Sequence, residues 1–308
     1  MADTPETFSM TPEQLASFTQ PKPAVESNFV SNPLSKYMRQ PTIYIELPSK
    51  GEYWKEGSLE RTENNQYPVY PMSTRDELIL NTPDALMNGQ GVVDVFQSCI
   101  PNIKNGWDMP ILDIDLCLIA IRVASYGEMM EYNSTCPSCQ EINNYEIDLK
   151  DFLGLTIDAS GFEKQTAFKE LKIKVKPITY RAMTAQSLDE FEQQRLITTI
   201  SNTEIDEYQK QEKFNEILKS MTMNTVRNIA GSIEYIETPD GERVVDQTLI
   251  DDFVENCDRK IFDELKKHQQ LIDEGIPAKN IPTTCPECQH QYVSPFTFDQ
   301  ANFFGSAS

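Results

Sequence analysis

The chain has 308 residues and a formal net charge of −21, from 48 acidic and 27 basic side chains. Proteins bind nucleic acid by replacing counterions with Lys and Arg, so this excess of acid argues against a nucleic-acid partner. It disfavours an anionic membrane surface for the same reason. The length suffices for about two average domains, or for one domain with a large insertion.

Membrane and export signals are not expected. The longest apolar run covers residues 116–121, far short of the ~18 residues needed to span a bilayer. The first residues lack the cationic and apolar stretches of a secretory signal. We therefore expect a protein without a membrane span that is made in the cytoplasm.

Residues 1–40 are rich in Pro, Ser, Thr and Gln. Such a composition buries too little apolar area to offset the entropy cost of ordering the chain. We predict a flexible N-terminal arm. The alternative is an arm that becomes ordered on a neighbouring subunit.

The sequence pattern after residue 40 predicts strands first and then helices. Alternating apolar residues predict short strands at 42–47 and 67–72, and two prolines in the second suit an edge position. Ser73 or Thr74 can then cap a helix, with acidic residues in its first turn. Further helices are predicted at residues 82–89, 92–99 and 113–125. The last of these is almost wholly apolar, so we expect it at the centre of the core.

A strand pattern returns at residues 128–150 and again at about 160–178. Three lysines that alternate in the second stretch (Lys172, Lys174 and Lys176) indicate one solvated strand face, and no basic cluster is evident. Apolar residues at three-to-four spacing then predict long helices at residues 180–200, 206–236 and 247–272.

Four of the seven cysteines form two matching pairs, Cys136-Pro-Ser-Cys139 and Cys285-Pro-Glu-Cys288. In such a pair a tight hairpin turn directs two thiolates at one tetrahedral metal, and proline after the first cysteine presets the bend. Strand-like sequence follows both pairs. We predict that the two turns share one structural zinc ion, as in a zinc ribbon.

Three alternatives to this shared site stay open. The pairs could be redox dithiols, two separate sites each completed by another chain or by His290, or unmetallated buried cysteines. One feature is atypical, because Gln140 and Gln289 stand where glycine often follows the second cysteine. The remaining cysteines are predicted to be buried packing residues: Cys99, Cys117 and Cys257.

The predicted fold is α+β, with a small N-terminal α/β part, a discontinuous four-cysteine zinc ribbon and a mostly α-helical insertion. Residues 1–40 form the arm, and residues 41–153 with 281–304 form the α+β core with the ribbon. Residues 154–280 form the inserted helical domain, and residues 305–308 are a tail.

No catalytic constellation is found in the sequence. The chain has two histidines and contains no metalloprotease, nucleophile-elbow or phosphate-loop motif. Paired acids such as Asp113 and Asp115 are interpreted as helix-start residues. A zinc ion held by four thiolates leaves no open position for chemistry. We predict that the protein is not an enzyme.

An ordered series of motifs runs through the first half of the chain. It comprises Leu-Pro-Ser-Lys-Gly at residues 47–51, Tyr-Pro-Met-Ser-Thr-Arg-Asp-Glu at 70–77, residues 91–99, the apolar helix ending in Ser-Tyr-Gly at 125–127, and the first cysteine pair. This series resembles the baseplate hub assembly family of T-even-type contractile-tailed bacteriophages. The resemblance covers residues 41–153 and the second cysteine pair, but neither the arm nor the helical block.

The resemblance implies a baseplate hub subunit or an assembly chaperone of the hub, located in the virion tail or in the host cytoplasm during assembly. Other baseplate or tail proteins are the implied partners, and a homo-oligomer in the tail stays open. The aromatic residues near the C-terminus are candidate partner-binding residues: Phe296, Phe298, Phe303 and Phe304. The alternative function is a zinc-ribbon regulatory protein that contacts nucleic acid or the transcription machinery.

Overall fold

A computed structural model describes residues 33–34, 37–82, 89–153, 166–168, 170–202, 206–274 and 279–296. The chain divides into two units, Met1–Met38 and Arg39–Ser308. Most of the predicted arm (residues 1–40), residues 83–88 of a predicted helix and the tail at 305–308 lie outside the described residues.

The first half of the second unit follows the predicted order of elements. They are β1 (Ile43–Glu46), β2 (Gln66–Val69), α1 (Thr74–Leu80), α2 (Gln90–Cys99), a short 3₁₀ helix (Gly106–Asp108), α3 (Ile111–Tyr126), β3 (Met129–Thr135), β4 (Ile142–Asp148) and the single turn α4 (Lys150–Leu153). Both β1–β2 and β3–β4 are antiparallel pairs. The Ser73 hydroxyl caps α1 and the Asp76 carboxylate accepts from the Ser73 backbone in return, which satisfies two N–H groups at the helix start.

Helix α3 lies at the centre of the first hydrophobic core, as its composition predicts. Its buried residues cover all sides of the helix and include Arg122. The largest fully buried side chains of this core are Tyr67, Tyr180 and Phe96. Gly127 ends the helix with φ 91°, a conformation that a side chain disfavours.

The second half is less helical than its sequence pattern predicts. Its elements are β5 (Thr166–Phe168), β6 (Leu171–Val175), α5 (Tyr180–Asn202), α6 (Glu207–Gly231), β7 (Ile233–Glu237), β8 (Arg243–Val244), α7 (Gln247–Asn256), α8 (Arg259–Glu274), β9 (Lys279–Thr284) and β10 (Gln291–Phe296). Strands β5, β6, β7 and β8 form one antiparallel sheet in that order.

Two helix predictions in this half are wrong in detail. The helix predicted over residues 206–236 ends at Gly231, and Ile233–Glu237 is a strand paired with Leu171–Val175. The helix predicted over residues 247–272 is broken at Asp258, whose carboxylate accepts from the backbone N–H groups of Lys260 and Ile261.

A second hydrophobic core joins the sheet to α6, α7 and α8. The predicted α+β class is confirmed.

The C-terminal hairpin β9–β10 is antiparallel. Ile281 at its base packs against the first hydrophobic core, although it follows the long helical segment in the chain. Among the described helices, none is long and apolar enough to cross a membrane.

Candidate metal centre

Two hairpin turns meet at a cluster of four cysteines. Cys136 and Cys139 lie in the turn between β3 and β4, and Cys285 and Cys288 lie in the turn between β9 and β10. All four sulfur atoms lie within 4.8 Å of one another. The Sγ atoms of Cys136 and Cys288 are 3.7 Å apart, and those of Cys139 and Cys285 are 3.6 Å apart. The structure thus brings together all four predicted metal-binding cysteines.

The two turns have the same backbone hydrogen bonds. In the first, the N–H of Cys136 donates to the carbonyl of Glu141 and the N–H of Gln140 donates to the carbonyl of Cys136, both at 2.9 Å. The second turn repeats these bonds between Cys285 and residues 290 and 289, again at 2.9 Å. Each hairpin therefore presents its pair of thiols in the same way.

The glutamines after each pair adopt the backbone conformation that usually favours glycine. Their φ angles are 62° for Gln140 and 59° for Gln289. Each side-chain amide donates at 3.1 Å to the carbonyl of the proline within its own turn, Pro137 or Pro286. These bonds help to offset the cost of a left-handed backbone in a residue with a side chain.

Backbone and side-chain donors surround the Cys285 sulfur. The N–H groups of Cys288 and Glu287 point at it and lower the pKa of its thiol to about 7. The side-chain amide of Asn143, on β4, also donates to it at 3.5 Å. Because donors stabilise a thiolate, this turn favours the form of Cys285 that binds metal. A backbone N–H group of the other turn lowers the pKa of Cys139, but burial and hydrogen bonds with the other three thiols raise it to about 12.

The sulfur separations fit a metal better than a disulfide. Four sulfurs at about 2.3 Å from one tetrahedral zinc ion lie about 3.8 Å apart, close to the 3.7 and 3.6 Å that separate the two nearest pairs. A disulfide would need about 2.05 Å, and all four cysteines are free. Four thiolates are a donor set for zinc or another thiophilic ion, and they leave no open coordination position.

Hydrogen bonds between hydroxyl groups join the two hairpins. The Tyr132 and Thr283 hydroxyls are 3.1 Å apart. Tyr292 and Ser294 on β10 both donate to the Ser134 hydroxyl on β3, at 3.2 and 2.8 Å. Sequence reasoning missed these residues; the available signal was their alternation with exposed positions along each strand.

The other predicted residues are not members of the cluster. His290 is exposed and its ring stacks beside Tyr292, with 6.3 Å between centroids. Cys99 and Cys117 are buried and Cys257 is partly buried. Phe296 is the last residue of β10, while Phe298, Phe303 and Phe304 lie outside the described residues.

Comparison with known proteins places the chain in a family. No curated protein and no solved structure matches it significantly. A family model described as T4 bacteriophage base plate protein matches residues 40–305. This match includes both cysteine pairs and the helical segment between them. The chain therefore belongs to the T4 bacteriophage base plate protein family.

Proposed function

We propose that the chain is a non-enzymatic protein of the base plate hub, stabilised by a structural zinc ion. The observation that carries this proposal is the four-thiol cluster in a chain of the base plate family. A base plate is an assembly of protein subunits, so other tail proteins are the proposed partners and the virion tail is the proposed location. The alternative, a regulatory protein on nucleic acid or the transcription machinery, gains no support from the family match.

Cys136, Cys139, Cys285 and Cys288 would hold the zinc ion. The ion supplies a cross-link between two hairpins whose Cys139 and Cys285 are 146 positions apart in the chain. Each neutral hydrogen bond between the hairpins contributes only about 1 kcal/mol, whereas a structural zinc site contributes on the order of 10 kcal/mol. The metal would therefore dominate the stability of the paired hairpins.

The zinc site also suggests how the chain is organised. We infer that residues 41–153 and 281–304 form one core and that residues 154–280 are inserted into it. Two observations support this division. Ile281 from the C-terminal hairpin packs against the first hydrophobic core, which Tyr180 at the start of α5 also joins, and a second core lies among β6, β7, α6, α7 and α8. Both ends of the inserted segment would be fixed by the same metal.

Two modes of action fit a base plate hub protein. A structural subunit stays in the virion, and an assembly chaperone leaves after the hub has formed. In either mode the four aromatic residues near the C-terminus are proposed to contact the partner: Phe296, Phe298, Phe303 and Phe304. Aromatic anchors contribute strongly to protein interfaces.

Quantitative mass spectrometry of purified virions and of infected-cell lysates tests the proposal. A fixed ratio to the tail proteins in virions supports a structural subunit. Presence in lysates only, bound to a hub protein, supports an assembly chaperone. The proposal is wrong if the chain associates with no tail protein in either sample.

A further inference from the structure

An open cleft of about 750 Å³ lies away from the cysteine cluster. Its walls come from the turn at residues 52–55, from the end of β6 and the residues after it, from the first turns of α5, and from the end of α6. These segments are far apart in the sequence, so the cleft exists only in the folded chain.

The cleft is positive although the chain as a whole is strongly acidic. Among the described residues that line it, the cations outnumber the carboxylates by two: Lys55, Arg61, Lys174, Lys176 and Arg227 against Glu52, Asp108 and Glu234. Lys174 pairs with Glu234 at 3.4 Å. The Asp108 carboxylate accepts from Ser58 and Asn105. Lys174 thus offsets the charge of Glu234, whereas Asp108 keeps its negative charge and is held by neutral donors.

Three of the cations are available to a ligand. Lys55, Lys176 and Arg227 make no ion pair with any other described residue, although each lines the cleft. The first turn of α5 also faces the cleft, since Thr179 and Ala182 line it. A helix N-terminus carries a partial positive charge, which adds to the positive potential of the cleft. An anionic group that enters the cleft would therefore meet unpaired positive charge.

A strained turn supplies an apolar wall. Lys50 and Tyr53 have positive φ angles of 53° and 64°, a conformation that non-glycine residues rarely adopt and that is often found at functional sites. The turn places Tyr53 and Trp54 beside the cleft. The Trp54 indole N–H donates to the buried Asp113 at 2.8 Å, which fixes the ring. The wall is thus formed before any ligand binds.

We propose that this cleft binds an acidic polypeptide segment of a partner protein. A peptide in which carboxylates alternate with apolar side chains matches the mixture of cations and of apolar surface at Tyr53, Trp54 and Ile178. The cleft is also much larger than a single inorganic anion. Since the net charge of −21 repels acidic segments over the rest of the surface, a local positive cleft would direct such a segment to this site. The proposal rests on this cleft alone and needs neither the zinc ion nor a role in the hub.

Isothermal titration calorimetry of the full chain with a short peptide of alternating Glu and Leu tests the proposal. We expect the double variant Lys176→Gln/Arg227→Gln to bind the peptide about tenfold more weakly. Lys266→Gln/Lys267→Gln is the matched control, since it removes the same charge from two exposed lysines of α8 outside the cleft. It should change the affinity by no more than about twofold. Binding to the unmodified chain should also weaken sharply near 1 M salt, where the Debye length is about 3 Å.

Three results would overturn the proposal. One is equal binding of a Gln–Leu peptide, which would indicate an apolar groove. Another is displacement of the acidic peptide by millimolar inorganic phosphate, which would indicate a phosphate site. The third is an equal loss of affinity in the two double variants, which would indicate a general effect of net charge. The salt dependence of the unmodified chain keeps the test valid if the first double variant does not fold.

Discussion

The backbone N–H and the hydroxyl of Ser49 both donate to the Asp113 carboxylate, at 2.8 and 2.5 Å. The indole N–H of Trp54 donates to the same carboxylate at 2.8 Å. Ser49 belongs to the Leu-Pro-Ser-Lys-Gly motif, and Asp113 lies in the first turn of α3. This motif therefore holds the start of the central helix through a buried carboxylate. Burial raises the pKa of Asp113 to about 6, in spite of the hydrogen bonds, which lower it.

This raised pKa predicts a pH dependence of stability. The native state binds the proton of Asp113 more tightly than the unfolded state, in which the pKa is about 3.9. The stability that this group contributes is therefore greatest below about pH 4 and falls as the pH rises through about 6. From about pH 7.5 to pH 5, the free energy of unfolding of the natural chain should rise by about 1 kcal/mol relative to Asp113→Asn.

Urea unfolding of both proteins at the two pH values measures this difference, and other ionisable groups cancel in the comparison. Asp115→Asn on the same helix is the control for the loss of one negative charge. A difference between the natural chain and Asp113→Asn that does not change with pH would contradict the assignment.

Asp76 predicts a second effect on stability. Its buried carboxylate accepts from the Ser73 backbone at 2.7 Å, from the Ser98 hydroxyl at 3.0 Å and from the Arg39 guanidinium at 3.1 Å. Asp76→Ala removes the side-chain half of the capping box and leaves these donors without their acceptor. We expect the free energy of unfolding to fall by about 3 kcal/mol.

Asp94→Ala on the surface of α2 is the matched control for this variant. Its carboxylate accepts from the exposed Gln90 side chain, and its loss should cost about 0.5 kcal/mol or less. Urea unfolding measures both variants. An equal loss of unfolding free energy in the two variants would show that Asp76 does not join α1 to α2 and Arg39.

The hydroxyl contacts between the two hairpins can be tested by Ser134→Ala. This change removes the acceptor of the Ser294 hydroxyl, which is 2% exposed. We expect a loss of about 1–2 kcal/mol, because a buried polar group is left without a partner. Ser187→Ala, on the exposed face of α5, is the control. It should leave the free energy of unfolding unchanged or raise it slightly. Equal thermal midpoints of the two variants would contradict the described contact.

The conformation of Gln140 predicts opposite effects of two substitutions. With φ at 62°, Gln140→Gly relieves backbone strain. It also loses the side-chain hydrogen bond to Pro137 and makes the unfolded state more flexible, and both effects are destabilising. The free energy of unfolding should therefore rise by only about 0.5 kcal/mol. Gln140→Val should cost about 1–2 kcal/mol, because a β-branched residue strongly disfavours this region. Chemical unfolding with metal present compares them. A glycine variant less stable than the valine variant would contradict the turn geometry.

Local signals made the first half of the fold predictable. Ser73 with Asp76 forms the cap expected from the sequence, and the apolar composition of residues 113–125 indicated a central helix. The paired cysteine turns could also be predicted from the sequence, since each turn depends on four adjacent residues. These features rest on short-range spacing that any reader of the sequence can see.

Long-range pairing explains what the sequence did not reveal. Ile229, Ile233 and Ile236 have helical spacing, yet Ile236 pairs with Ile173 in a strand more than sixty positions away. The contact of Ser49 with Asp113 and the positive cleft likewise join distant segments. Asp113 was interpreted only as a helix-start residue, because nothing in a local pattern shows that a carboxylate is buried.

The zinc site makes the strongest prediction for a single substitution. Cys285→Ser should lower the free energy of unfolding by several kcal/mol, because it removes one of four ligands from the proposed cross-link. Cys257→Ser is the matched control, since Cys257 is a partly buried cysteine outside the cluster. It should retain the metal and cost about 1 kcal/mol.

The most direct test is metal analysis of the full chain purified without added metal. The account predicts about one zinc ion per chain in the natural protein and in Cys257→Ser, and little or none in Cys285→Ser. A folded natural protein without zinc or another thiophilic metal would contradict the central claim that one metal ion joins the two hairpins.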